Sequence, residues 1–264
     1  MKKETLTSLR KSPLYLNSLI LHGNGKLLDY TNDDGLTFNY AQFNTRALKD
    51  CPFKSAGCTA VCYATKGNHV FPSVTESREH SFMDSQRADF AEAMVYTIHT
   101  EQKSKRYSSA VMLIRIHESG DFYSLQYLRK WVQVWKAVEH NDGVQFTVYT
   151  KSFKFFLMLS EEETSIVNGC LVSGRVAINL SLDDTTTSEQ WKAYYECKKR
   201  FPKMNTYYCT EHVDNVKHDN VCDCADCAKC GKCNHGDGKT TVVKIHSASN
   251  ADMKVYRENI KAEA

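Results

Sequence analysis

From about residue 110 onward, short and nearly continuous apolar runs alternate with longer segments whose apolar positions recur at a helical period. Ala110–Ile116, Val144–Tyr149, Arg175–Ser181, Thr206–Cys209 and Thr240–Ile245 read as strands, and helices are expected near 125–139, 153–162, 188–200 and 252–261. This alternation predicts repeated βα units around a largely parallel sheet, an α/β fold. Val74–Glu101 lacks Gly and Pro, and its Phe82, Phe90, Ala93, Met94, Tyr96 and Ile98 fall close to a helical spacing, so one long helix capped by Ser73 or Thr75 is expected. Residues 1–50 mix turn signals such as Gly23-Asn-Gly25 with short apolar runs and read as an extended N-terminal segment.

Composition narrows the class. With 42% hydrophobic and 25% charged residues among 264, the chain is globular rather than disordered. The net charge of +3, from 34 Lys and Arg against 31 Asp and Glu, supplies no strong field for nucleic acid. Met1-Lys-Lys-Glu-Thr5 lacks the apolar run of a signal peptide, and no stretch approaches the roughly 18 apolar residues of a membrane span. A cytoplasmic protein with no membrane partner is expected. In that reducing compartment eleven cysteines point to metal rather than disulfides.

Eight of the cysteines are clustered. Cys51, Cys58 and Cys62 lie within twelve residues on a Gly-containing loop, a spacing that lets three thiolates converge on one centre. Three ligands suit a [4Fe-4S] cluster with one iron left open, whereas a structural zinc would need a fourth ligand such as His69 or a distant cysteine. Cys222, Cys224, Cys227, Cys230 and Cys233, with His235, form a second run, and Lys229 and Lys232 can offset thiolate charge there. Its spacing suits a second iron–sulfur cluster or a zinc, in a structural or electron-relay role, with Cys209 and His212 as further ligands upstream.

The first loop, C-x6-C-x3-C followed by Tyr63-Ala64, resembles the cysteine loop of radical S-adenosylmethionine enzymes, although their usual spacing is C-x3-C-x2-C. That resemblance implies a partial (βα) barrel, S-adenosylmethionine as cofactor, and an electron donor. A broader one is to the bacteriophage and prophage gene product 88 domain family. It is carried by His22-Gly-Asn-Gly-Lys-Leu27, Cys62-Tyr-Ala-Thr-Lys-Gly67, Ile114-Arg-Ile-His-Glu-Ser-Gly-Asp-Phe-Tyr123, Tyr149-Thr-Lys-Ser152 and the late cysteine run. It implies a phage-encoded protein in a bacterial host and supplies no reaction.

In parallel α/β sheets ligands gather beyond the carboxyl ends of the strands. Arg115, His117 and Lys151 are there the candidate catalytic residues. Strand alternation puts Arg115 and His117 on one face, expected to look into the barrel. By position in the radical S-adenosylmethionine resemblance, Ser119, Gly120 and Asp121 are candidates for cofactor binding, although Asp121 or Ser119 also suits a helix cap. Asn179 and Ser181 follow by the same alternation, with Asp183 and Asp184 beyond, one of them a further helix cap. The expected organisation is an extended segment over 1–50, a barrel over 51–208, a cysteine-rich metal-binding insertion over 209–238, and a closing strand and helix over 239–264. Two functions fit this pattern. One is an iron–sulfur enzyme acting on an unknown small substrate; the other is a zinc-stabilised nucleic-acid-binding or processing protein using Lys198-Lys-Arg-Phe201 and Lys151-Ser-Phe-Lys-Phe155.

Overall fold

The computed structural model describes residues 19–21, 29–32, 35–222, 231–245 and 248–263. Eight strands form one curled half-barrel sheet: β1 (Tyr30–Thr31), β2 (Thr37–Phe43), β3 (Val111–Ile116), β4 (Val144–Thr150), β5 (Val176–Asp183), β6 (Asn205–Thr210), β7 (Asn220–Cys222) and β8 (Thr240–Lys244), in the order β1-β2-β3-β4-β5-β6-β8-β7. Only β1 runs antiparallel to its neighbour. The six strands β2 to β6 and β8 make an uninterrupted parallel set. The barrel therefore begins at β2, inside the stretch read from sequence as an extended N-terminal segment. The alternation Phe38-Asn-Tyr-Ala-Gln-Phe43 carries that strand, but two polar positions mask it.

Strand alternation divides the sheet. Even-numbered positions such as Met112, Ile114, Phe146, Val148, Ile178 and Leu180 are fully buried against the helices. Odd-numbered positions of β3 to β6, including Arg115, Thr147, Tyr149, Asn179, Ser181 and Cys209, line the concave face. The helices are α1 (Ala56–Val61), α2 (Pro72–Gln86), α3 (Phe90–Glu101), α4 (Leu125–Ala137), α5 (Phe153–Leu157), α6 (Glu161–Val172), α7 (Ser188–Arg200) and α8 (Asn250–Glu263). Trp131 and Trp135 on α4 fill the centre of the convex-side core.

Two predicted helices are each broken in two. Pro72 occupies the first turn of α2, in place of the expected Ser73 or Thr75 cap. The break before α3 is held by Lys130, whose Nζ donates to the carbonyls of Ser85 (2.8 Å) and Arg87 (2.7 Å). The segment near 153–162 splits because Ser160 and Glu163 form a capping box that starts α6. Arg200 then donates to the carbonyls of Leu157 and Leu159 at 2.6 and 2.7 Å.

The described end of the late cysteine run is a plug in the lower half of the barrel. Backbone carbonyls of residues 233–235 accept from concave-face side chains: Thr147 Oγ1 (3.1 Å) and Asn179 Nδ2 (3.0 Å) donate to Cys233, Gln145 Nε2 to Asn234 (2.7 Å), and Asn205 Nδ2 to His235 (2.7 Å). A polar concave face is thereby satisfied by main chain rather than by water.

Candidate active site

Above this plug, at the carboxyl ends of the strands, lies a cavity of about 210 Å³. It is covered by the loop after β2 and by Tyr256 of α8. Cys51, Cys58 and Cys62 all line it. Cys209, read from sequence as a further ligand of the late cysteine run, is a fourth thiol there, and the alternation Asn205, Tyr207, Cys209 along β6 was a usable signal.

The position of the cysteine loop follows from one buried carboxylate. Asp183, at the end of β5, is 4% exposed and pairs with Lys151 Nζ at 2.7 Å; Lys151 is itself 11% exposed. Asp183 also accepts from Thr185 Oγ1 (2.7 Å) and from Ser55 Oγ. Ser55 in turn caps α1 by accepting from the backbone N–H of Cys58 at 3.1 Å. Gly57 closes the same contact: a Cβ there would stand 2.5 Å from the Tyr256 ring and 2.7 Å from Thr185 Oγ1. On its far side the loop is tied to α8 by Lys66 and Asp252, 2.5 Å apart, and to α2 by Arg78, which donates to the Ala64 carbonyl at 3.1 Å.

Burial governs the thiols. It pushes Cys58 up to about 11 and Cys209 up to about 12, and raises Cys51 and Cys62 as well, with neighbouring negative groups adding to the effect at all but Cys62. All four are neutral at pH 7 unless a cation takes the place of their protons. Burial acts against the Lys151 ammonium, but the Asp183 carboxylate beside it raises the group overall, so it stays protonated. Among the described residues no three His, Cys, Asp or Glu side chains stand close enough together to hold a metal ion. The thiols ring a cavity instead of meeting at a point.

The other candidates divide. Arg115 lines the cavity with its guanidinium 4.8 Å from the Tyr149 ring centre. His117 departs from the expected inward direction. It lies beyond the end of β3 at φ 67°, and that left-handed turn sends its ring to Phe122 (4.6 Å between centres) and to the Tyr127 hydroxyl (3.2 Å). Burial lowers the imidazole to about 3, so it is neutral at pH 7 although His117 also borders the cavity. Ser119, Gly120 and Asp121 border the cavity, yet none caps α4, whose cap is Ser124. Ser119 Oγ donates to the Thr45 carbonyl (2.9 Å), and Asp121 accepts from Thr150 Oγ1 (2.6 Å) and the Lys151 N–H (2.8 Å). Asp183 and Asp184 likewise cap no helix, since Thr187 caps α7. Ser181 lines the cavity, whereas the Asn179 amide is spent on the plug.

Of the late cysteines, Cys222 ends β7 beside Val243 and Cys233 sits in the plug; Cys224, Cys227 and Cys230 lie outside the described residues. His69 is turned to Arg78 Nη2 at 2.8 Å and does not line the cavity. Most cations of the basic stretches proposed for nucleic acid have partners within the fold: Lys198 donates to the carbonyls of Met204 and Gly238, Arg200 to those closing α5, Lys154 pairs with Glu189 at the surface, and Lys151 with Asp183, while Lys199 is exposed. No helix among the described residues is long and apolar enough to cross a membrane.

Comparison with known proteins gives a family and no reaction. The Gene 88 protein of Mycobacterium phage D29 is 28% identical over 172 residues, which cover 59% of this chain and 69% of the relative. The Gene 88 protein of Mycobacterium phage L5 is 33% identical over 106 residues, 38% of this chain and 42% of that relative. No solved structure matches. The family profile described as Gene product 88 matches residues 17–236, most of the sheet and the whole cysteine loop, and the chain belongs to that family of phage proteins.

Proposed function

We propose that this phage protein is an iron–sulfur enzyme of radical S-adenosylmethionine type, working in the reducing interior of the host cell with an external one-electron donor. One observation carries the reading: three thiols from the loop after the first of six successive parallel strands face one cavity at the carboxyl ends of those strands. The donor set fits a [4Fe-4S] cluster, since three sulfurs leave one iron open and Lys151 beside Cys58 offsets thiolate charge. Held by Cys51, Cys58 and Cys62, such a cluster would supply one-electron reduction of S-adenosylmethionine and with it radical chemistry.

The chain's own contribution is placement. Asp183 and Ser55 fix the helix that carries Cys58, and Tyr256 with α8 covers the cavity and limits water. Gly120, whose positive φ and close approach to Thr45 hold the strand-end loop in place, and Ser181 border the same space. The late cysteine run, with Cys222 and Cys233 on the described part, is assigned a second cluster or a zinc.

Cys209 in the same cavity favours a second reading, a closed four-sulfur zinc site. Anaerobic purification and reconstitution separate the two. About four iron and four sulfide in the first centre, with a broad charge-transfer absorption lost in Cys51→Ser, Cys58→Ser and Cys62→Ser and kept in Cys209→Ser, support the enzyme. Stoichiometric zinc without iron, lost in Cys209→Ser as well, supports the closed site.

A further inference from the structure

The cavity holds a cation that the proposed chemistry leaves unused. Arg115 lies on the concave face of β3, in register with Gln42 on β2 and Thr147 on β4. Thr147 also holds the Cys233 carbonyl of the plug, so Arg115 belongs to the floor of the cavity, and the three early thiols to the loop above it. Tyr63, Tyr149 and Tyr207 line the cavity with it, and the Tyr149 and Tyr207 rings meet edge to face at 5.1 Å.

A guanidinium in such a place is normally met by a carboxylate. Here none of the described residues puts a carboxylate oxygen within 4.0 Å of it. Its Nε is buried with no hydrogen-bond partner. Glu118, three residues later, lines the same cavity and favours the charge through space without contact, and Asn44 Nδ2 lies 3.4 Å from its carboxylate. Lys151, the other cation at the strand ends, is neutralised by Asp183. Contact with the Tyr149 ring compensates a buried guanidinium only in part. The fold thus keeps a rigid, forked donor at the bottom of a small chamber with no carboxylate in contact and a buried Nε unbonded, an arrangement that a bound anion would relieve.

We infer that Arg115 is the anchor for an oxyanion, a carboxylate or phosphate group, on a small substrate that enters with its anionic end on the floor and its remainder towards Cys51, Cys58 and Cys62. This deepens the proposed function by naming the substrate class and rests on it only for calling the bound molecule the substrate. Anion capture itself needs neither iron nor a sulfonium.

The test is calorimetry and thermal unfolding of the full chain with inorganic phosphate and, separately, acetate, each up to about 10 mM, comparing wild type, Arg115→Met and Arg115→Lys. Wild type is expected to bind at least one anion and to melt higher in its presence; the anion that binds tells phosphate from carboxylate. Arg115→Met is expected to bind about 10-fold more weakly or worse, and in anion-free buffer to melt no lower than wild type, because it removes a buried charge that no carboxylate contacts, at similar volume. A merely structural arginine would instead lower the melting temperature. If Arg115→Met does not fold, Arg115→Lys decides, with the charge kept and the fork lost: weakened binding supports the anchor. Binding of neither anion by wild type, or undiminished binding in the variant that folds, overturns it. Anion binding in a chain that takes up no iron overturns the cluster and leaves the anchor standing, and iron uptake without anion binding does the reverse.

Discussion

Replacing Asp183 by Asn tests whether one carboxylate organises the site. The change is nearly isosteric and leaves the Lys151 ammonium, 11% exposed, beside an amide. Breaking a buried pair by removing one partner costs about 3–5 kcal/mol, because the remaining charge keeps its desolvation penalty. Ser55 and Thr185 also donate to this carboxylate, and exchanging charged for neutral acceptors weakens each bond by up to about 1 kcal/mol. A loss of about 4 kcal/mol follows, and at roughly 2–4 °C per kcal/mol the melting temperature falls by roughly 8–16 °C.

Urea denaturation of Asp183→Asn, Lys151→Met and the Lys151→Met/Asp183→Asn double variant closes the cycle. The double variant recovers most of the loss if the penalty is an unpaired charge. Loop position is read separately by alkylation of Cys58, faster in Asp183→Asn because Ser55, the cap of α1, loses its partner. The pH dependence has a definite sign. Burial acts to raise the Asp183 carboxyl, yet Lys151 and the hydroxyl donors hold it below the usual range. Its stabilisation is therefore present above the unfolded value of about 3.9 and lost as pH falls through the lower folded value, a limb absent from Asp183→Asn. A single variant within about 1 kcal/mol of wild type, the worth of a solvent-exposed pair, would refute the reasoning.

His117, lowered by burial to about 3, costs stability as pH falls from the unfolded value of about 6.5 towards 3, by up to about 5 kcal/mol; His117→Asn, which tolerates the left-handed backbone, should lack that limb in urea titrations at stepped pH. Asp121, raised by burial to about 6, acts in the opposite direction: its contribution is full below about 3.9 and is lost as pH rises through 6, so wild type and Asp121→Asn should differ in slope over that window. Gly120→Ala should cost more than about 2 kcal/mol, since φ is 82° and the new Cβ would stand 2.0 Å from Thr45 Oγ1; an unchanged melting temperature would contradict this. Metal uptake by Cys51, Cys58 and Cys62 should release about one proton per thiol and weaken steeply as pH falls, read by a pH indicator during loading, because neutral thiols must ionise to bind.

The parallel strands after residue 110 were legible because each presents an apolar convex face whatever its other face carries. The same rule hid β2, where Asn39 and Gln42 interrupt the run and turn signals precede it. Helix breaks were illegible for a different reason. Lys130 and Arg200 terminate helices distant in sequence, so no local pattern announces Ser85–Arg87 or Leu157–Leu159 as ends. The cysteine loop was legible as a cluster, whereas Cys209 reaches it only through sheet register, Asp183 lying opposite it on the neighbouring strand. His117 shows where period-two reasoning stops: one residue past the last paired position of β3, a positive φ reverses the side chain.

The plug explains why the concave face carries such different chemistry at its two ends. Below, Gln145, Thr147, Asn179 and Asn205 are amides and hydroxyls of the right reach to satisfy backbone carbonyls, and they fix residues 233–235 across the barrel. Above, the same strands present Arg115, Tyr149, Ser181 and Cys209 to the cavity. Asn205→Ala distinguishes a floor that shapes the site from one that merely fills space. It strips a donor from the His235 carbonyl and acceptors from the Asp237 and Gly238 N–H groups, at about 2–4 kcal/mol for partners left buried and unpaired. If the plug sets the floor, amide exchange quickens at 233–238 and phosphate or acetate binding at Arg115 weakens in parallel, although Arg115 and Asn205 lie on different strands. Faster exchange with undiminished anion binding would show that the upper chamber is held by the cysteine loop and α8 alone.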